Sequence, residues 1–226
     1  MVSERFAAYL SVMSLLLIAG CGGGGGGSNS PAPQQNLQSA PAPSQPMETP
    51  STTLTATDSS GNTWTATYSS TAGGTAMFNG QNATTSSIAL TVSENGAVVA
   101  TEDSTAYYLT NPYSPLGLSG TTSGVAWTAV INSYTPLPST LTVGGSGSLL
   151  SATYYDGTMT NIGSLTETYT VTANSPAALF LNINGAGTIN GVQETETLTY
   201  SIASDGTLQA LVQAQITVNG TTITFH

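Results

Sequence analysis

Apolar and polar residues alternate with a period of two along most of this chain, from about Thr52 to His226, with threonine frequent on the polar side. This period is typical of β-strands that bury one face, and no window of helical period is long enough to compete with it. The clearest segments are 53–57, 63–68, 88–92, 127–131 and 165–173. We therefore predict an all-β domain.

Residue pairs that favour tight turns occur at short intervals between the alternating segments. Asn-Gly and Asp-Gly pairs are strong hairpin signals because both residues tolerate the left-handed conformation that tight turns need. They begin at Asn79, Asn95, Asp156, Asn184, Asn190, Asp205 and Asn219. The Glu102-Asp103 and Asp156-Gly157 pairs are also interpreted as turn residues. A parallel sheet would need crossover helices, so the pattern predicts an antiparallel up-and-down meander.

The last four strands permit a test of register, because buried residues must stay opposite one another across each turn. Two-residue turns at Asn190-Gly191 and Asn219-Gly220, and a three-residue loop at 204–206 with Gly206 left-handed, keep apolar residues paired. The predicted pairs are Ile189–Val192, Ile183–Leu198, Leu181–Tyr200, Leu179–Ile202, Ile202–Leu208, Tyr200–Ala210, Leu198–Val212, Ile216–Ile223 and Ala214–Phe225.

Strands of about twelve residues that share one apolar face are longer than most. They favour a barrel, with a two-sheet sandwich as the alternative. The segment 115–124 interrupts the alternation, so a division into two subdomains stays open there. The outward residues of the C-terminal strands are Thr and Gln, which a lipid environment would reject, so a membrane-spanning barrel is disfavoured.

The same register places carboxyl groups on the apolar face. Glu194 and Glu196 fall opposite Gly187 and Gly185, and Glu167 of the preceding strand can lie beside Gly185. Three carboxylates would then line one end of the interior, with the glycines leaving room for a ligand. Such a group could bind Ca²⁺, which prefers oxygen ligands, or supply the acid pair of glycoside hydrolysis. Alternatively, the strands overshoot the core and their charged ends are solvated.

Two pairs of adjacent tyrosines are candidate surface aromatics. They are Tyr107 with Tyr108 and Tyr154 with Tyr155. Adjacent residues on a strand point to opposite faces, so one ring of each pair should look outward. An outward ring could stack on a glycan or contact a partner protein, or it could simply cover the threonine-rich sheet.

Charge excludes several classes of function. Arg5 is the only Lys or Arg in the chain, against eleven acidic residues. Binding to nucleic acid or to anionic lipid headgroups needs clustered basic residues, so neither partner is expected. A Schiff-base lysine and a phosphate-binding P-loop are excluded for the same reason. The single histidine is His226, and we expect neither a Ser-His-Asp triad nor a histidine metal site.

The first twenty residues have the pattern of an export signal, with Arg5 followed by an apolar stretch at 6–18 that is too short for a comfortable membrane span. The run Leu-Ile-Ala-Gly-Cys at 17–21 resembles the bacterial lipobox. This resemblance implies that Cys21, the only cysteine, receives acyl chains such as palmitate and becomes the new N-terminus. Gly22 in place of aspartate implies sorting to the outer membrane. The alternative is an ordinary secreted protein cleaved nearby.

The segment 21–51 is predicted to be a flexible tether. It contains a run of six glycines and then a stretch rich in Pro, Gln, Ser and Ala, a composition that cannot bury enough apolar surface to fold. A flexible chain of this length spans roughly 30 Å. The glycine run after the cysteine resembles surface lipoproteins of the transferrin-binding and factor H binding type, and this resemblance covers the anchor and tether alone.

The sequence thus predicts a signal peptide at 1–20, a lipidated tether at 21–51 and a β-domain at 52–226. We expect a non-enzymatic binding or surface-structural lipoprotein, facing either the periplasm or the cell surface. Its ligand would be a glycan, a small apolar molecule or another envelope protein. The alternatives are a carboxylate-dependent glycoside hydrolase and a calcium-binding β-domain.

Overall fold

The computed structural model describes residues 39–41, 51–175 and 178–226. The predicted signal peptide, Cys21 and most of the tether lie outside these residues. Strands and turns make up the described part of the chain, and it contains no helix that could span a membrane. The predicted all-β meander is confirmed.

Fourteen strands follow one another in the described residues. They are β1 Ser39–Pro41, β2 Thr52–Thr57, β3 Thr63–Phe78, β4 Gln81–Glu94, β5 Ala97–Thr110, β6 Tyr113–Thr122, β7 Val125–Tyr134, β8 Thr140–Thr142, β9 Ser146–Asp156, β10 Asn161–Ser175, β11 Ala178–Ile189, β12 Val192–Ala203, β13 Leu208–Val218 and β14 Thr221–Phe225. All five segments with the clearest alternation lie within these strands.

Twelve of these strands form one antiparallel sheet in the order β14-β13-β12-β11-β10-β9-β7-β6-β5-β4-β3-β2. Its two outer strands meet where Thr55 of β2 and His226, just after β14, exchange backbone hydrogen bonds of 3.0 and 2.9 Å. The sheet is therefore nearly closed into the predicted barrel. Strand β6 lies inside it between β5 and β7, so the sheet runs on through the segment 115–124.

The two remaining strands form a separate two-stranded sheet, and Leu141 of β8 is buried in the hydrophobic core. The chain leaves the large sheet after β7, forms β8 and returns to the sheet at β9. Strand β8 pairs with β1, where Pro41 is opposite Thr140. Residues 39–41 belong to the predicted tether, which was expected to contain no strand. A two-stranded ribbon of this kind has free edges, and an edge position tolerates a proline that cannot donate a hydrogen bond.

Most of the predicted turns are present, and their backbone explains the choice of residues. Asn79, Asn95, Asn190 and Asn219 have φ between 46° and 52°, and each is followed by a glycine that also has positive φ. These are the dihedral signs of the two-residue hairpin turn. The exception is Asn184-Gly185, which lies in the middle of β11. There Asn184 Oδ1 accepts a hydrogen bond from Thr197 Oγ1 at 3.0 Å.

The predicted register is confirmed across both two-residue turns. Every pair proposed between β11 and β12 is present, as are Ile216 with Ile223 and Ala214 with Phe225. In the loop between β12 and β13, Gly206 has φ +84°, and the backbone N–H of Ala203 donates to the carbonyl of Thr207 at 2.9 Å. The three-residue loop is therefore also confirmed.

Two predicted pairs between β12 and β13 are wrong. Tyr200 pairs with Leu211 rather than Ala210, and Leu198 pairs with Ala214 rather than Val212. The register shifts twice on β13, just after the correctly predicted pair of Ile202 and Leu208. These irregularities turn Leu211 into the core and leave Ala210 exposed, so the larger apolar side chain is the one that is buried.

Candidate functional site

The three glutamates singled out from the sequence lie inside the barrel. Glu167 of β10 and Glu196 of β12 flank Gly185 of β11 in one row of the sheet, and Glu194 is opposite Gly187 in a neighbouring row. Their side chains are only 1–3% exposed. The alternative of solvated strand ends is therefore wrong, and the three carboxyl groups do share one interior face.

The space directly over the two glycines between these glutamates is already occupied, so the glycines do not themselves provide the room for a ligand that was expected. A Cβ atom at Gly185 would lie 3.2 Å from Glu196 Cγ, so the glutamate side chain itself lies over this position. At Gly187 a Cβ would collide with the backbone carbonyl of Ser164 and reach 3.0 Å from Leu165 Cα. Both glycines are explained by close packing.

A fourth carboxyl group, which the sequence interpretation missed, faces the same interior. Glu102 lies within β5 rather than in a turn, and its side chain is buried. Its Oε1 accepts a hydrogen bond from Ser104 Oγ at 3.2 Å. The hydroxyl of Thr122 also bonds to it, and that hydroxyl accepts a bond from Trp127 Nε1 at 2.9 Å.

Hydrogen bonding separates Glu102 from the other three glutamates. Neither carboxyl oxygen of Glu167, Glu194 or Glu196 has a hydrogen-bond partner, although all six atoms are buried. The hydroxyl of Tyr200 is buried without a partner as well. Burying an ionised carboxylate without donors costs several kcal/mol, so these groups favour the neutral form.

The pKa values express this preference. Burial raises the pKa of Glu167 and Glu194 to about 8. Burial also raises the pKa of Glu102 to about 8, against the lowering effect of the hydrogen bonds from Ser104 and Thr122. The pKa of Glu196 is raised well above its ordinary value, first by burial and then by the charges of Glu167, Glu194 and Glu102. Four acids therefore lie within electrostatic reach of one another.

Two buried tyrosines belong to the same interior. Burial, followed by the charge of Glu196, raises the pKa of the Tyr154 phenol well above its ordinary value, and all four glutamates contribute. Tyr154 also packs against Trp127, with 5.9 Å between ring centroids. The pKa of Tyr200 is raised by burial, then by Tyr68, Glu196 and Glu167. Rings and acids are thus interleaved inside the barrel.

In each tyrosine pair one ring points outward and the other inward, as predicted. Two of the four candidate surface aromatics are therefore buried. Tyr108 and Tyr154 are buried and are not surface aromatics. Tyr107 and Tyr155 point outward and are half-buried. The ring of Tyr107 stacks on Phe78 at 4.5 Å, and its hydroxyl hydrogen-bonds to Ser119 Oγ at 3.0 Å. One face of the Tyr107 ring is therefore already covered.

The carboxyl groups do not form a metal site. Among the described residues, no three or more acidic, histidine or cysteine side chains are arranged to hold a metal ion. Calcium needs six to eight oxygen ligands within 2.3–2.6 Å of one point. The geometry therefore does not support the calcium hypothesis.

A cleft of about 700 Å³ lies at the seam between the outer strands β2 and β14. The residues that line it are Thr55, Ala56, Thr57, Asp58, Ser59, Ser60, Trp64, Thr221, Thr222, Ile223, Thr224 and His226. Asp58 organises the adjacent loop, because its carboxylate accepts hydrogen bonds from the backbone of Ser60 and Asn62 and from Trp64 Nε1. Hydrogen bonds, chiefly from Asn62 and then Trp64, lower its pKa to about 2.

Comparisons of this chain with protein-family models, with curated proteins and with solved structures gave no match.

Proposed function

We propose that this protein is an envelope lipoprotein, anchored through Cys21, whose barrel is a non-enzymatic binding domain. The observation that carries the binding part is that the buried carboxyl groups of Glu167, Glu194 and Glu196 and the buried phenol of Tyr200 have no hydrogen-bond partner in the described part of the chain. Buried polar groups of this kind need an explanation, and a ligand that supplies the missing partners is one. A small apolar ligand would leave them unpaired, so the interior favours a polar one.

The anchoring part of the proposal rests on the sequence. The lipobox-like run at 17–21 ends at the only cysteine, and the glycine-rich and proline-rich segment after it can hold the barrel away from the membrane. Several acyl chains on one residue hold a protein to a bilayer stably, because each buried methylene contributes about 0.8 kcal/mol. The orientation we propose is attachment to the outer membrane.

The glycosidase alternative has less support. Hydrolysis by paired carboxyl groups needs one acid that stays protonated and one that stays ionised, so their pKa values must be pushed apart. Here burial raises the pKa values of Glu102, Glu167, Glu194 and Glu196 alike. The site therefore lacks a carboxylate held ionised beside a neutral acid.

Membrane fractionation tests the anchoring directly. The full-length chain is expected in the outer-membrane fraction, and the mature N-terminus should carry acyl chains on mass spectrometry. The Cys21→Ala variant should lose the acyl chains and leave the membrane, because no other residue of the chain can be lipidated through a thiol. A membrane-bound Cys21→Ala variant would contradict the proposal.

Turnover of glycosides tests the non-enzymatic part. The purified mature protein is expected to release no product from a panel of nitrophenyl glycosides above a no-protein control. Product release that disappears in Glu167→Gln or Glu196→Gln, but persists in Asp103→Asn, would establish the enzyme instead. Asp103 is the matched control because it is exposed on the outer face of the strand that carries Glu102.

A further inference from the structure

We propose that the acid cluster, defined as Glu102, Glu167, Glu194 and Glu196, binds a small aliphatic diamine or polyamine inside the barrel. The amine would reach the cluster through the seam between β2 and β14. This inference rests on the proposed binding function and names its ligand class and its route of access.

The need for a cation follows from the charges of the chain. Residues 51–226 contain no lysine and no arginine, so no such side chain can pair with the buried acids. Both oxygens of three of the four carboxyl groups lack a hydrogen-bond partner. Charge-assisted hydrogen bonds to an ammonium group would satisfy these oxygens and stabilise their ionised form. A positively charged donor from outside the chain fits this site.

The placement of the acids favours an amine over a metal ion. The carboxyl groups come from β5, β10 and β12 and do not converge as metal ligands in the described residues. A diamine carries its two charges on a methylene chain and can meet carboxylates on separate strands. The rings of Trp127 and Tyr154 lie in the same interior and can pack against methylenes or stabilise a cation over their faces.

The hydroxyl of Tyr200 is a second feature that indicates a ligand. Its side chain is fully buried, and its oxygen has no hydrogen-bond partner. It lies within electrostatic reach of Glu196 and Glu167. A phenol oxygen can accept a hydrogen bond from an ammonium group that is shared with a neighbouring carboxylate. Tyr200 therefore adds a neutral acceptor to the acid cluster.

Access must come through movement, because the carboxyl oxygens are sealed from solvent. In the described barrel wall, the Thr55 and His226 pair joins the seam by two backbone hydrogen bonds, whereas continuous ladders join β13 to β14 and β2 to β3. The cleft beside this pair reaches the core residues Trp64 and Ile223. Ile223 is opposite Ile216, which is in turn opposite Glu196, so the cleft is two strands away from the acid cluster.

Calorimetry on the mature, lipidated protein in detergent tests the ligand class. At pH 7.5 in amine-free buffer, we expect 1,4-diaminobutane and spermidine to bind and to raise the melting temperature. The neutral analogue 1,4-butanediol should not bind. Glu167→Gln and Glu196→Gln should weaken amine binding at least about tenfold, whereas the exposed Asp103→Asn should change it less than about twofold. Both glutamine variants keep the side-chain size, and their melting curves verify folding.

The route is tested with cysteines at the ends of the seam. In the Thr55→Cys, His226→Cys double variant, a disulfide should slow amine association at least about tenfold, and reduction should restore it. Unchanged association in the oxidised protein would overturn the seam as the route.

Three results would overturn the ligand class. They are butanediol binding as well as diaminobutane, no amine binding in a correctly folded protein, and equal binding by the Glu196→Gln variant. Each of these leaves the membrane fractionation unaffected. An anchored, catalytically silent protein that binds no amine would therefore refute this inference and retain the proposed function, whereas glycoside turnover would refute the proposed function itself.

Discussion

At the scale of single residues, the buried glutamates dominate the electrostatics of this protein. Each must enter the core as a neutral acid or find a cation, because an ionised carboxylate in an apolar interior is strongly disfavoured. Glu102 has hydroxyl donors from Ser104 and Thr122, while Glu167, Glu194 and Glu196 have none in the described structure. Protonation therefore links the stability of the barrel to pH.

The melting temperature of the mature protein should fall as the pH rises from 5 to 8 in amine-free buffer. The unfolded carboxyl groups lose their protons near 4.5, whereas Glu102, Glu167 and Glu194 keep theirs up to about 8 in the barrel. The unfolded state thus binds fewer protons in this window, and each group removes about 1.4 kcal/mol of stability per pH unit. Thermal unfolding followed by circular dichroism measures the slope, and a flat or rising curve would contradict it.

Glu167→Gln should make this pH dependence shallower, because a neutral amide of the same size has no proton to lose. We expect the variant to be more stable than the wild type at pH 8 by up to about 5 kcal/mol, because the wild type loses about 1.4 kcal/mol per pH unit through Glu167 between about 4.5 and 8. Asp103→Asn, on the outer face, should keep a pH dependence close to that of the wild type, because the charge of Asp103 raises the pKa of Glu102 less than burial does. A Glu167→Gln variant with the wild-type slope would show that Glu167 does not contribute.

The residue that sequence reasoning misplaced is informative. Glu102-Asp103 was interpreted as a turn because two adjacent acids suggest a solvated position. The alternation of Ala100, Glu102 and Ser104 with the exposed Thr101 and Asp103 was the signal that could have found the buried strand. At Glu102 the prediction relied on the residue type and was wrong. At Glu194 and Glu196 it relied on the period-two alternation and correctly placed both side chains on the interior face.

At the scale of elements, hairpin turns and close packing explain why specific glycines occur where they do. Gly191 closes the β11–β12 turn with φ +76° and faces open space. Gly187 lies inside β11, where a side chain would collide with the backbone of β10. Gly191 is needed because the turn has a positive φ, and Gly187 is needed because there is no space for a side chain.

These two glycines should therefore respond differently to alanine. Gly191→Ala should cost about 1–2 kcal/mol, the penalty of a left-handed conformation for an L-residue. Gly187→Ala should cost more, about 3 kcal/mol, because two strands would have to move apart. Urea unfolding of both variants measures the difference. Equal losses, or a larger loss at Gly191, would contradict the assigned packing.

The strand pairs also show how much of the register can be predicted from the sequence pattern. Turn residues and alternation sufficed for the pairing of β11 with β12 and of β13 with β14, because no register shift interrupts these two hairpins beyond their two-residue turns. The β12–β13 hairpin was predicted only next to its loop. The register shifts on β13 bury Leu211 and leave Ala210 exposed, and neither the turn residues nor the strict alternation indicates where such shifts fall.

At the scale of the whole molecule, the described residues 51–175 and 178–226 combine a surface without Lys or Arg with one nearly closed sheet of twelve strands. Residues 21–226 contain ten of the eleven acidic residues and no Lys or Arg. The outward-facing positions of the strands carry Thr, Ser, Asn and Gln instead. Several of the hydroxyl groups hydrogen-bond across strands, such as Thr217 with Thr222 at 2.8 Å.

The mature protein should resist trypsin completely, even when it is unfolded in urea. Trypsin cleaves after Lys and Arg, and Arg5 is the only such residue in the sequence. Mass spectrometry after digestion should show an intact mature chain, whereas the unprocessed precursor should lose its first five residues. Loss of the first five residues from the exported protein would show that Arg5 is retained, and would contradict the proposed processing. Chymotrypsin, which cleaves at aromatic residues, provides the control.

The buried acid cluster is tested most directly by a pH titration of the glutamate carboxyl groups. The titration is monitored by NMR on the barrel with ¹³C-labelled glutamate side chains. We predict that Glu102, Glu167 and Glu194 titrate near pH 8 in amine-free buffer, and that 1,4-diaminobutane lowers these midpoints. Titration of all glutamates near pH 4.5 would show that their carboxyl groups are solvated, and would contradict the buried acid cluster on which the proposals depend.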